Sequence, residues 1–506
     1  MSKITLSKGV AICALLVTYF LTCSCFSSKA QIDLHYDPTL QPTGNLQYFS
    51  PVGREGEPKN LFVGDCIPFF DKGTYYLYWL IDSSHHTALH GLGGHQWVLS
   101  TTRDLKTWKH YPVVIGLDET WEKSICTGSV VKKGNNFYAF YATRVLKDGE
   151  KNEQLSYAIS QDGIHFKKQW PNPFYTAPSG YDEHDFRDPK ATIDKRGRFH
   201  LFIAGRQTQT ILQDENGCLV HLESGDGKKW TVLPTLLSGE KDTPECPDYF
   251  YWKNWYYLLY SVGSNTYYVK SRKPYGPWLY PRSQALNEDW SNVVKTAAFT
   301  GGRRIAAGWI PSRQGNVDEG GERFGGNMVF RELSQEPDGD LSEAFPPEMI
   351  PPTGQALNLP IMEDKVSGTI IPGGVRLQSA GGIGAAHIET VPPDARIKLE
   401  IVPSGNYEET GLYLRSTEKA KGGYKLSFSA DRREVCLGNT CIVGVEGLNR
   451  AFTLDILMKD DILDVCVNGK RCIVNRQPEQ KGDFLWFYIK NGSALFRSVT
   501  LRKITK

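Results

Sequence analysis

A chain of 506 residues exceeds the usual size of one domain, so at least two are expected. Lysine and arginine (58) nearly balance aspartate and glutamate (56) without a basic stripe, which argues against a nucleic acid or an acidic membrane surface as partner. Aromatic residues make up 12% of the chain, and a neutral ligand bound through ring faces and hydrogen bonds, such as an oligo- or polysaccharide, fits that composition.

Residues 1–30 read as an export signal. Lys3 and Lys8 precede an apolar run from Val10 to Leu21 that is too short for a comfortable membrane span. Two processing sites stay open: Leu21-Thr22-Cys23-Ser24-Cys25 resembles a lipoprotein box with Cys23 or Cys25 carrying lipid, and Ser28-Lys29-Ala30 fits an ordinary signal-peptidase site. The expectation is a bacterial protein in the periplasm or lipid-anchored to the outer membrane, acting as a monomer.

From residue 37 to about 350 the sequence repeats. DKGTYYLYWL (71–80), KGNNFYAFYATR (133–144), KRGRFHLFIAGR (195–206), KNWYYLLYSVG (253–263) and GGRRIAAGWI (301–310) are five copies of one turn-and-strand phrase. Their spacing of roughly 50–60 residues is that of solenoid or propeller repeats. In four copies a second phrase follows, a strand, a polar turn and a Trp or Phe: VLSTTRDLKTWKHYP (98–112), YAISQDGIHFKKQWP (157–171), HLESGDGKKWTVLP (221–234) and YYVKSRKPYGPWLYP (267–281). Each repeat thus supplies about four strands that bury their faces only against neighbouring repeats, which predicts a five-bladed β-propeller.

The segment before each first phrase is then the innermost strand: VGDCIPFF (63–70), CTGSVVKK (126–133), FRDPKATI (186–193), ECPDYFYW (245–252) and NVVKTAAF (292–299). Asp65, Asp188 and Glu245 stand at the start of three of them, read as equivalent positions that converge around the axis. Carboxylates there are costly unless they serve a site, and like charges raise one another's pKa, so one can stay protonated while another is ionised. Such a group points to glycoside hydrolysis. Strand caps or calcium ligands are the alternative.

Residues 333–354, rich in proline and acidic residues and without periodicity, read as a linker or closing strap. From about Leu359 to 506, short alternating runs such as RIKLEIVP, TGLYLRST and YKLSFSA predict a β-sandwich with a packing or carbohydrate-contact role, packing favoured, which makes the whole fold all-β. Cys66, Cys126, Cys218 and Cys246 read as small buried residues. Cys436, Cys441, Cys466 and Cys472 lie on two hairpin-like segments between which export allows cross-pairing, with the connectivity open. No Cys/His spacing fits zinc, so neither a metal nor a cofactor is expected.

The order of Asp65, CTGS (126–129), FRDP (186–189), EC (245–246) and GRRIAAGW (302–309), then GGNMVFREL and EPDGDL (325–341), resembles glycoside hydrolase family 32, the fructan and sucrose hydrolases. The resemblance covers most of the chain after residue 30 and implies a five-bladed propeller followed by a β-sandwich. It also implies roles by position: Asp65 the nucleophile, Glu245 the acid/base, and Asp188 with Arg187 the group that holds sugar hydroxyls and stabilises the transition state. Thr127 and Trp309 match sugar-contacting positions. The chain departs from the family's usual first motif, Trp-Met-Asn-Asp-Pro-Asn-Gly, in having Gly64 for the Asn before Asp65. The Gln that ends the family's next strand is Leu80 here. Those positions shape the fructose pocket, so the sugar is left open. An insertion, IDSSHHTALHGLGGHQW (81–97), follows, with His85, His86, His90 and His95 as either rim residues of a remodelled pocket or solvated loop histidines. Two rival readings are an arabinose- or xylose-releasing propeller hydrolase and a non-catalytic glycan-binding lipoprotein.

Overall fold

The computed structural model describes residues 32–54, 60–210, 214–283, 285–288, 290–363 and 368–505. The export signal expected over residues 1–30 lies outside them.

Each repeat folds as one antiparallel blade. Blade I comprises Leu61–Asp71, Thr74–Ser83, Gln96–Thr102 and Trp108–Ile115, and blade II comprises Ser124–Lys133, Asn136–Lys147, Glu150–Ser160 and Lys167–Lys168. Blade III is built from Tyr181–Ile193, Phe199–Gln207, Gly217–Ser224 and Thr231–Glu240. In blade IV, Glu245–Trp252, Trp255–Val262 and Asn265–Ser271 pair, and an isolated bridge from Lys270 to Leu279 stands at the place of a fourth strand. Blade V holds Asn292–Ala298, Arg304–Arg313, Glu322–Gln335 and Leu341–Ala344.

The second sequence phrase has a local cause. Asp104, Asp162 and Asp226 each accept two backbone N–H groups on one carboxylate oxygen, from residues 106 and 107, 164 and 165, and 228 and 229. An aspartate that closes its own turn in this way fixes the hairpin without tertiary help. The aromatic residue after it (Trp108, Phe166, Trp230) then packs back against the sheet.

Apolar cores lie between consecutive blades, as faces buried only against neighbours require. Ile67, Leu99 and Phe137 join blades I and II. Phe140, Phe199 and Leu222 join II and III, and Phe202, Leu219 and Leu258 join III and IV. Tyr257, Leu259 and Val294 join IV and V, and Trp79, Ile305 and Phe330 join V and I. The ring closes where Val63 pairs with Gly326.

Residues 333–354, expected as a linker or closing strap, carry strands of both domains. They begin in the strand Glu322–Gln335, supply Leu341–Ala344 as the fourth strand of blade V, and end in Thr353–Ala356, which pairs with Ile504 and Arg502 of the sandwich. The sandwich therefore starts at 353 rather than 359. Alternation was hidden because the strands Leu341–Ala344 and Thr353–Ala356 have only four residues each and are separated by a proline-led turn at Pro346–Pro347. Two long strands organise the sandwich: Gly374–Ile388 pairs with residues 485–496 of Phe484–Ile504, interrupted by irregular register. One half of the latter meets Glu409–Ser416, the other Ala395–Pro403.

The cysteines do not cross-pair between hairpins. Cys436 and Cys441 form a disulfide inside one tight hairpin, where they face each other across Glu434–Leu437 and Thr440–Ile442. Cys466 and Cys472 are buried free thiols opposite each other on the next hairpin.

Sandwich and propeller meet through buried charge. Arg331 donates to both oxygens of Asp464 at 2.8 and 2.9 Å, and the Tyr48 hydroxyl donates to Oδ2 of the same carboxylate at 2.8 Å. Arg476 Nε donates to the Pro311 carbonyl at 2.6 Å, and Arg313 Nη2 to Asn475 Oδ1 at 2.9 Å. These bonds brace Arg304–Arg313, the strand that carries Trp309.

Candidate active site

Each inner strand carries one extra residue at its pocket end. The register against the next strand slips between Val63 and Cys66, Ile125 and Gly128, Arg187 and Lys190, Glu245 and Asp248, and Asn292 and Lys295. A β-bulge of this kind re-aims side chains, and here it does so in all five blades. The superposed register corrects the expectation of equivalent positions. Counted from the last regularly paired residue before each bulge, Glu245 stands at the first step, Asp188 at the second and Asp65 at the third. They converge because three blades use three different steps of the same bulge. The second step is left-handed in three blades, at Asp188 (φ 58°), Cys246 (φ 50°) and Val293 (φ 42°). Such a conformation costs roughly 1–3 kcal/mol and persists where the surroundings over-determine it.

The three carboxylates line one pocket of about 300 Å³ at the mouth of the ring. Asp65 is pinned on both oxygens: Trp309 Nε1 donates to Oδ1 at 2.9 Å, and Thr127 Oγ1 donates to Oδ2. Asp188 Oδ2 accepts the Cys246 N–H at 3.0 Å, with the thiol at 3.5 Å. Glu245 Oε1 accepts from Arg187 Nη2 at 2.8 Å and Nε at 3.2 Å, two charge-assisted bonds onto one oxygen. Arg187 also donates to Asp185 and to buried Glu153. Glu153 in turn takes Arg144 on its other oxygen at 2.8 and 3.1 Å. Sequence reading missed Arg144 and Glu153, because a charge inside an ordinary strand carries no motif.

Burial sets the protonation. Desolvation raises the Asp65 carboxyl above the usual aspartate range; the Thr127 and Trp309 donors oppose it and the Glu245 charge adds to it. Asp188 is raised by burial against the pull of Arg187, with Asp65 adding to the rise. Desolvation by the pocket wall also raises Glu245 and outweighs Arg187, reinforced by Asp188 and Glu153. About 41% of the Glu245 side chain stays accessible, so it can reach a ligand.

The histidine insertion divides. His86 and His95 line the pocket; His85 and His90 are not among its lining residues. His85, expected at the rim, stacks on Phe62 at 3.8 Å and places Nδ1 2.9 Å from the Phe324 carbonyl, toward a separate cavity. His86 Nε2 lies 2.7 Å from Arg144 Nη1, which makes it an acceptor; burial, then His95 and Arg144, push its pKa down to about 3. His95 goes the other way, to about 9. Burial opposes that rise, but Nε2 lies 3.0 Å from Asp82 Oδ1, and the ion pair prevails. A charged His95 therefore stands beside a neutral His86.

Phe324 is the other residue without a sequence signal. Its ring stacks on His95 (4.8 Å between centroids) and tilts against Trp309 at 4.9 Å. Gly64 and Leu80, the two departures from the family motif, both lie against it or each other: a Cβ on Gly64 would sit 2.9 Å from the Phe324 ring and 3.2 Å from the Leu80 Cβ. Among the described residues, the two clusters of metal-ligating atoms lie outside this pocket.

The family model described as the glycosyl hydrolases family 32 N-terminal domain matches residues 58–340, more than half of the chain. The chain belongs to glycoside hydrolase family 32. This family 32 chain is 26% identical over 310 residues to a sucrose-6-phosphate hydrolase of Escherichia coli, covering 56% of this chain and 61% of that one. It is also 26% identical over 251 residues to a levanase of Bacillus subtilis, covering 47% and 32% respectively. It thus spans less than two thirds of either relative. Among solved structures, fructan 1-exohydrolase IIa of Cichorium intybus superposes with a TM-score of 0.69 at 16% identity, covering 94% of this chain and 98% of that one. A β-fructofuranosidase of Bombyx mori superposes with a TM-score of 0.65 at 18% identity, covering 93% and 95%. These two likenesses bear out the propeller and sandwich architecture.

Proposed function

We propose that the protein is an exported glycoside hydrolase of the retaining β-fructofuranosidase kind, acting on a fructan or an oligosaccharide. The observation that carries this reading is the convergence of Asp65, Asp188 and Glu245 on one pocket, each held by a different donor set. Asp65, with both oxygens tethered, attacks the anomeric carbon as the bond to the leaving oxygen breaks. Glu245, raised toward the protonated state, gives its proton to that oxygen. In the second half Glu245 takes a proton from water, the water oxygen bonds to the anomeric carbon, and the Asp65 ester bond breaks. Asp188, bonded through Oδ2 to Cys246, offers Oδ1 to sugar hydroxyls, and Arg187 holds Glu245 in line. The names of the relatives, sucrose-6-phosphate hydrolase and levanase, support a fructosyl substrate.

One observation favours a second reading. The polar Asn and Gln that shape the family's fructose pocket are Gly64 and Leu80 here, and the Phe324 ring fills the space between them and His95. An apolar wall at that place suits a pentose-containing glycan, arabinosyl or xylosyl, processed by the same carboxylates.

The test is product release from sucrose, inulin, levan, arabinan, arabinoxylan and aryl pentosides, by the protein and by Glu245→Gln. Fructose release lost in the variant supports the first reading, and pentose release lost in the variant supports the second. Binding without turnover of any substrate sinks both and leaves a glycan-binding protein. Export rests on the apolar run from Val10 to Leu21 and the Cys23-Ser24-Cys25 box. Membrane fractionation with N-terminal mass measurement separates a lipid-anchored from a freely exported form, and an unprocessed cytoplasmic chain would overturn it.

A further inference from the structure

The turn 194–198 of blade III lies at the other end of the inner strand from the pocket, about 20 Å along the strand from Asp188 at 3.3 Å per residue. Next to it, the His200 side chain is 3% exposed. His200 Nδ1 lies 2.9 Å from His221 Nε2 on the neighbouring strand. Its Nε2 faces Asp194 Oδ2 and Glu223 Oε2 at 3.6 Å each, too far for a hydrogen bond. That buried Nε2 has no hydrogen-bond partner among the described residues. A buried ring nitrogen left unpaired between two carboxylates is expensive unless a cation completes it.

The two carboxylates are set up in the same sense. Asp194 Oδ1 accepts the backbone N–H groups of Arg196 and Arg198 at 2.8 Å each, and Glu223 Oε1 accepts Arg198 Nη2 at 2.6 Å. Each is thus anchored through one oxygen and turns the other toward His200, although Asp194 Oδ2 also accepts Arg196 Nε at 3.2 Å. The register makes the cluster, because His200 pairs directly with Glu223 across the hairpin. The three ligand atoms lie within 4.8 Å of one another. A cation equidistant from them would sit about 2.0–2.4 Å from each, which spans zinc–nitrogen and zinc–oxygen bond lengths.

We propose that Asp194, His200 and Glu223 form a divalent-cation site of the zinc type, with water completing the shell. His221 is the outer partner that orients the His200 ring. Tyr275 of blade IV lies against both imidazoles, at 5.3 and 5.0 Å between centroids, so the ion would fasten the hairpin tip of blade III and stiffen its seam with blade IV. Arg196 is the competing cation. Its Nε lies 3.2 Å from Asp194 Oδ2 and its Nη2 3.7 Å from Glu223 Oε2, but three quarters of its side chain is exposed and free to swing away. The spacing of the three residues matches no short zinc motif, so the sequence expectation of no metal overlooked it.

The experiment is calorimetric titration of ZnCl2 into the untagged, chelator-dialysed protein, repeated with Co2+ to read ligand-field absorption. The expected result is one equivalent bound with a rise in Tm, at least 100-fold weaker binding in His200→Asn and in Glu223→Gln, and several-fold tighter binding in Arg196→Ala. If His200→Asn fails to fold, Asp194→Asn, which keeps an oxygen for the backbone N–H groups of the turn, makes the same comparison. Absence of binding by the parent protein, or equal binding by parent and variants, would overturn the proposal.

Discussion

Phe324 occupies the space above Gly64: a Cβ at residue 64 would lie 2.9 Å from Cζ of the ring, closer than real Cβ contacts allow. The two residues are far apart in sequence and meet only because blade V closes against blade I. Gly64→Asn, which restores the family's usual residue, should therefore lower kcat/KM at least ~10-fold when made alone. Combined with Phe324→Ala it should recover most of that loss, a coupling of about 1–3 kcal/mol in a double-mutant cycle. Strictly additive losses would mean that the contact does not shape the pocket.

Trp309 holds Asp65 Oδ1 at 2.9 Å and opposes the rise that burial imposes on that carboxyl. Trp309→Phe removes the donor and keeps the ring, so the Asp65 pKa should climb further. In its proposed role as nucleophile Asp65 must be ionised, so the acidic limb of the pH–rate profile should move to higher pH while the basic limb stays in place. Loss of rate by the same factor at every pH would contradict this.

Arg187 acts on the opposite limb. Its fork onto Glu245 pulls that carboxyl down against desolvation. Arg187→Met should let the Glu245 pKa rise, which moves the basic limb to higher pH and lowers kcat by about 100-fold as the acid loses its orientation. The profile should be recorded well below the variant's Tm, since Glu153 loses a partner too. An unmoved basic limb would remove Glu245 from the acid/base role.

Glu288, buried where the propeller meets the sandwich, accepts the Val474 N–H at 2.7 Å through Oε1. Burial, then the Glu343 charge, push its pKa up to about 8. The folded value exceeds the unfolded one, so its contribution is fully present below about pH 4.5 and is lost as pH rises toward 8. Glu288→Gln keeps the acceptor and cannot ionise, so it should flatten that decline and be more stable than the parent at pH 8, by up to a few kcal/mol. Urea unfolding at pH 5 and pH 8 measures it; parallel pH slopes in the two proteins would refute the assignment.

Much of the fold was legible because its causes are local. A turn closed by Asp104, Asp162 or Asp226 through its own backbone is visible as a repeated phrase, and period-two alternation needs only adjacent residues. Asp65, Asp188 and Glu245 stood out because a carboxylate in an apolar strand conflicts with its surroundings. Their relation to one another was misread, since one-residue bulges change which step of the strand faces the axis without changing composition. Arg144, Glu153 and Phe324 were invisible for a different reason: Arg144 and Glu153 read as an ordinary cross-strand pair until Arg187 of blade III joins them, and Phe324 as an ordinary strand residue until blade V closes on blade I.

By itself, then, the sequence pointed to the five-fold repeat, the sandwich that follows it and the three carboxylates proposed for the site, all consequences of short-range pattern. Only the tertiary structure decided which histidines reach the pocket and how Phe324 fills the place that Gly64 vacates. Those contacts depend on register and ring closure. Both are set by packing between residues distant in the chain, where a shift of one position turns a side chain to the opposite face.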